Sequence, residues 1–232
     1  MIDMKKNYSI YIFPFVIVGI LLMLTNSCKK DSSNNASSTV TDIDGNVYHT
    51  ITIGKQVWTV ENLKTTKYND GTNIPLVTDS ATWANLTTPG YCWYHNDPSF
   101  FNTTGALYNW YAVSTGKLCP PGWHVPSDSD FVALITYLGG ANIAGGKLKE
   151  AGTANWQSPN TGANDTSKFT ALPGGYRNNH GFYGLGVNGS WWTTTPVGST
   201  NAMYLYLDNQ SAVAQRINYL KIHGFSVRCI KN

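Results

Sequence analysis

Tyr176-Arg177-Asn178-Asn179-His180 and Trp191-Trp192 gather the side chains best suited to recognising another molecule. Aromatic rings offer flat apolar faces that stack on sugars or peptides, and amides, imidazole and guanidinium bond hydroxyls and carbonyls. Set among glycines, these seven residues are read as one candidate ligand-binding surface. The competing reading places Tyr176 and both tryptophans in the core, where large aromatics are mostly buried. Cys92, Cys119 and Cys229 follow Cys28 in the chain. In an oxidising compartment two of the three would pair, and counting alone leaves three pairings open; unpaired thiols would pack as small hydrophobes.

Other patterns carry less chemistry. Asp42-Ile43-Asp44-Gly45-Asn46 spaces oxygens as a calcium loop begins, but the distal glutamate of an EF-type loop is missing, and a tight Asp-Gly turn explains it more simply. Histidines 49, 95, 124, 180 and 223 show no metal-ligand spacing. Gly184-Leu185-Gly186-Val187-Asn188-Gly189 spells the dinucleotide fingerprint, yet Ser190 to Thr195 is a poor helix start, so the match is treated as accidental. No serine–histidine–acid arrangement stands out. No catalytic residue, metal or cofactor is therefore assigned. A net charge of +3 without a basic patch argues against nucleic acid.

The elements that must position these residues are partly legible. Ser127 can cap a helix with Asp130 completing a capping box, and Phe131, Leu134, Ile135 and Leu138 fall on one face. Gly139 and Gly140 then supply a left-handed stop. The prolines of Cys119 to Pro126 keep the approach to this helix non-helical. Val47 to Ile53, the Gly54-Lys55 turn and Gln56 to Val60 predict a β-hairpin. Ala106 to Val113 reads as a short buried helix, Lys147 to Glu150 as a turn or two of another. Glycine, asparagine and aromatics dominate from Ala151. Ser190 to Thr195, Ala202 to Leu207 and Gly224 to Ile230 are the last strand candidates.

The N-terminus reads as an address. Lys5 and Lys6 precede an apolar run from Ile10 to Leu24, short of the ~20 residues that span a bilayer but suited to a signal peptide. Leu24-Thr25-Asn26-Ser27-Cys28 resembles a bacterial lipobox, with threonine where leucine is more usual. It implies cleavage after residue 27, lipidation of Cys28 and a membrane attachment through that lipid. Lys29 to Thr39 is a polar tether, so the expected division is signal peptide 1–27, lipidated cysteine and tether 28–39, and one domain 40–232. The 232 residues are 42% hydrophobic but only 12% charged, against about 25% in ordinary globular domains, which suits an extracytoplasmic, loop-rich fold.

One ordered set of motifs spans the domain: Trp58, Glu61-Asn62-Leu63 and Lys64 to Gly71, Leu107 to Val113, Leu118 to Pro126, Leu172 to Arg177, Trp191-Trp192, and Ser226-Val227-Arg228-Cys229. It resembles the Fibrobacter succinogenes major paralogous domain, common in lipoproteins of Bacteroidetes. That family is similar to the C-type lectin-like and formylglycine-generating-enzyme-like folds. The resemblance implies an α+β, C-type lectin-like single domain with two short helices flanking small antiparallel β-sheets and long glycine-rich loops. It implies a Cys119–Cys229 disulfide, as lectin-like folds often carry, with Cys92 left over. It also implies an outer membrane lipoprotein of the cell envelope, and Lys29-Lys30-Asp31 loosely resembles the signal that directs such lipoproteins to the cell surface. Copper chemistry is not carried over, because only Cys229 stands where the modifying enzymes have a cysteine pair. Ser158-Pro159-Asn160 lacks the first ligand of a calcium-dependent sugar site. The expected function is non-enzymatic binding of a glycan or an envelope protein. The alternatives are an enzyme with a degenerate site centred on Cys92 and a purely structural adhesion component.

Overall fold

The computed structural model describes residues 38–232. The expected signal peptide, Cys28 and most of the tether lie outside the described residues. In chain order the strands and helices are β1 (Thr39–Thr41), β2 (Val47–Ile53), β3 (Gln56–Thr59), α1 (Ser80–Ala84), β4 (Tyr91–Cys92), β5 (Leu107–Tyr108), α2 (Trp110–Val113) and β6 (Trp123–His124). Then come α3 (Asp128–Tyr137), α4 (Ala141–Leu148), β7 (Gly174–Asn178), β8 (Gly181–Leu185), β9 (Asn188–Val197), β10 (Asn201–Asp208), β11 (Gln215–Leu220) and β12 (Ile230–Lys231). The architecture is mixed α+β and mostly β.

The first sheet runs β1-β2-β3-β12-β6. Its hairpin is the expected one: Ile53 opposes Gln56 across Gly54-Lys55. β12 slots between β3 and β6, with Ile230 opposite both Trp58 and His124. The Cys119–Cys229 disulfide implied by the family resemblance is present, its Cα atoms 5.9 Å apart, and ties the approach to α3 to the residue before β12. α3 also forms as expected. Ser127 accepts from Asp130 N–H while the Asp130 carboxylate accepts from Ser127 N–H, and Phe131, Leu134, Ile135 and Leu138 are all buried. Gly139 and Gly140 both take φ near +99° and end the helix.

Three expectations need correcting. Leu107 and Tyr108 are not helical; they pair with Cys92 and Tyr91, and the helix waits for Asn109, whose side chain caps it by accepting from Ala112 N–H. The second is the expected turn at Lys147 to Glu150: only Lys147 and Leu148 are helical, as the end of a full helix beginning at Ala141, and Lys149 is already extended; Gly145 and Gly146 in that helix hide it from a propensity argument. With α1, the domain has four short helices where two were expected.

The second sheet, β11-β10-β9-β7-β8, sets the candidate site. Successive strand residues point to opposite faces, and cross-strand partners share a face. Trp191 opposes Leu205, and both pack with Leu207 against Phe131, Leu134 and Leu148 of α3 and α4. Trp192 opposes Tyr204 on the other face, where the segment after β11 folds back and sets Phe225 against both rings, at 4.4 and 4.5 Å between centroids.

Candidate functional site

The seven residues singled out in the sequence separate into three environments. Trp191 and Trp192 are fully buried, because adjacent strand residues face opposite ways and this sheet is covered on both sides there. Trp191 donates its indole N–H to Asn62 Oδ1, and Trp192 donates to the Tyr108 carbonyl. Arg177 is also buried. It donates to the carbonyls of Val77, Thr78 and Asp79 at 2.6–3.2 Å, and its guanidinium lies over the rings of Trp83 and Phe182. These three residues build the core and are corrected from ligand contacts to structural ones. Asn179 and His180 are exposed at the β7–β8 turn, where His180 N–H donates to Asn178 Oδ1. Only Tyr176 and Asn178 line a cavity on the open part of the sheet.

That cavity, about 260 Å³, was missed in the sequence and is built mainly by period-two alternation. In Tyr204-Leu205-Tyr206-Leu207 the leucines face α3 and the tyrosines face the cavity. Ser190 opposes Tyr206 and Asn188 opposes Asp208 on β9, while β11 adds Ile217 opposite Tyr204, and Tyr219. His223 and Phe225 wall it from the returning segment. The alternation at 204–207 was the readable signal. β11 was not readable, since Gln215 to Leu220 is almost wholly exposed and carries no apolar run.

The rings of the cleft are largely spent on one another. Tyr176 stacks on Tyr183, Tyr204 leans on Phe225, and Tyr219 stacks on His223 with centroids 4.4 Å apart. Their hydroxyls are not spent: among the described residues those of Tyr176, Tyr204 and Tyr219 have no hydrogen-bond partner, and that of Tyr206 accepts one bond, from Asn188 Nδ2 at 3.2 Å. The phenols are close enough to feel each other. Tyr204 and Tyr176 are both pushed above the ordinary tyrosine range, by burial first and then by the neighbouring phenols. Burial holds His223 down to about 4, so its ring is neutral at pH 7. Among the described residues no carboxylate, lysine or arginine lines this cleft.

Asn188 is positioned by Gly184, which takes φ +76° at the end of β8; a Cβ there would land on Asn188 Oδ1. The fingerprint-like Gly184 to Gly189 is thus a β8–β9 turn with no helix after it. A second hollow of about 370 Å³ lies between Phe100, Asn155, Gln157 and Leu185, and none of its lining side chains holds a sealed, unpartnered polar atom.

The remaining sequence candidates have structural occupations. Asp42 accepts from Asp44 N–H, from the backbone and side-chain amides of Asn46 and from the Tyr48 hydroxyl. Asp44 accepts from Thr65 and Thr66 and pairs with Lys67. Both carboxylates are filled by the turn itself. Among the described residues no three His, Cys, Asp or Glu side chains gather as metal ligands would. Cys92 is buried, and desolvation pushes its thiol up to about 11, the setting of a packed thiol and not of a nucleophile.

Residues 51–231 fit the model of the Fibrobacter succinogenes major domain, and the chain belongs to that family. No curated protein and no solved structure matches it.

Proposed function

We propose that this protein is a lipid-anchored domain of the cell envelope, C-type lectin-like in fold and held at the outer membrane surface through Cys28, and that it binds a glycan or an envelope protein without transforming it. The observation that carries this reading is the tyrosine cleft: four phenols, two amides and a neutral imidazole around an open cavity, with three hydroxyls that have no partner among the described residues. Such a surface offers apolar contact and hydrogen bonds together, which is how small-molecule and glycan sites gain both affinity and orientation.

Binding of the full chain in detergent to isolated envelope polysaccharide and envelope protein fractions tests it, with Ile217→Arg beside the wild type. Ile217 is 38% exposed at the cleft edge, so a charge there blocks entry at little cost to folding. The expected result is retention by one fraction that Ile217→Arg abolishes while its circular dichroism stays native. Retention unchanged in the variant would refute the cleft as the site.

A further inference from the structure

Resting on that reading, we infer that the cleft takes an uncharged, hydroxyl-rich ring, a neutral sugar residue, and does so without calcium. Three features select this ligand class. The first is the state of the hydroxyls. Because Tyr206 accepts from Asn188 Nδ2, its own proton is free to be donated outward, and the hydroxyls of Tyr176, Tyr204 and Tyr219 can each donate or accept. A set of groups that both donate and accept matches sugar hydroxyls, which do the same.

His223 is the second feature. It is 3% exposed, and its Nδ1 is sealed with no partner. A sealed N–H with no acceptor is costlier than a sealed lone pair, so the proton belongs on Nε2, making that nitrogen a neutral donor at the cleft wall. Tyr219, 49% exposed, is stacked on this imidazole by one face. Its other face stays open as a platform for the apolar side of a pyranose ring.

The third feature is charge. Without a cation in the lining, an anionic sugar would lose its hydration and gain no counter-charge; without a carboxylate, the lining offers calcium no anionic ligand.

Titration of the full chain in detergent tests this, with a panel of neutral oligosaccharides, uronic-acid-bearing and sulfated oligosaccharides, and choline, each in calcium and in chelator. Tyr206→Phe removes one hydroxyl and keeps the ring; Tyr219→Ala removes the platform. Expected is binding of at least one neutral oligosaccharide, equal in both arms, weakened about tenfold by Tyr206→Phe and tenfold or more by Tyr219→Ala, with unchanged unfolding midpoints. Binding confined to charged sugars or choline but lost in Tyr219→Ala would overturn the neutral-sugar assignment and leave the cleft standing. Neutral-sugar binding indifferent to both variants would overturn the cleft itself. Silence across the panel, with protein capture that Tyr219→Ala abolishes, would overturn the sugar and leave a protein ligand.

Discussion

Arg228 is fully buried and, among the described residues, faces no carboxylate within hydrogen-bonding reach. It donates to Asn62 Oδ1 and to the carbonyls of Phe169 and Thr170, and its guanidinium lies 4.1 Å from the Phe169 ring centre. Lys149 repeats the device, donating to the carbonyls of Thr161, Asp208 and Ser211 over the Trp156 ring, as Arg177 does near α1. Irregular backbone leaves carbonyls without ladder partners, and a buried cation satisfies two or three at once. Arg228→Leu should therefore cost about 3 kcal/mol or more in urea unfolding, because it orphans two carbonyls and takes from Asn62 Oδ1 one of its two donors, leaving Trp191. Sequence could not separate such a cation from a ligand-binding one: the carbonyls that hold Arg177 lie about a hundred residues upstream. His223 gives a pH signature at the same scale. Folding lowers its pKa from the ordinary 6.5 to about 4 by burial. As pH falls through that window the unfolded chain takes up a proton that the folded chain refuses, so stability drops by up to about 3 kcal/mol between pH 6.5 and 4, and is unaffected above it. The other titratable side chains lining the cleft are phenols, which do not ionise in acid. Melting temperatures across pH 4–7 should show this slope in the wild type and lose it in His223→Gln.

At the scale of elements, legibility followed the range of the interactions. α3 was readable because its cap, its apolar face and its glycine stop all lie within a dozen residues of chain. Ser127→Ala should cost about 1 kcal/mol, seen as a lower midpoint in denaturant. The β2–β3 hairpin was readable for the same reason. The second sheet was readable only in part: the strands expected at Ser190 to Thr195 and Ala202 to Leu207 form within β9 and β10, but the burial of Trp191 and Trp192 depends on α3 covering one face and Phe225 the other. Alternation shows that two adjacent residues face opposite ways, but which face is covered is decided elsewhere in the chain. The disulfide belongs to this scale too. It closes a separation of 110 residues, and replacing Cys119 and Cys229 together with alanine should cost about 2–5 kcal/mol, read as a lower melting temperature that reductant reproduces in the wild type.

For the whole molecule, the motifs that carry the family and the residues that form the cleft are nearly separate sets. Trp58, Asn62, Trp191, Arg228 and Cys229 are core, hydrogen-bond hub or disulfide. Of the cleft, Tyr176 alone stands within the quoted motifs; Tyr204, Tyr206, Tyr219 and His223 lie outside them. Recognition of the family was thus recognition of a scaffold. That is why fold could be anticipated more fully than ligand. The attachment proposed for this scaffold has its own check: metabolic palmitate should label the wild type and fail to label Cys28→Ser, which should leave the membrane fraction.

β12 carries a consequence for timing. Only Ile230 and Lys231 form this strand, yet it is the piece that joins β3 to β6, and the cysteine before it anchors to Cys119. The first sheet therefore cannot close while residues near 230 are still being made. Its two halves wait as unfinished edges, and the slow search that joins them begins after everything between has been delivered. A stop codon at 229 should accordingly yield a protease-sensitive chain, not a domain one strand short.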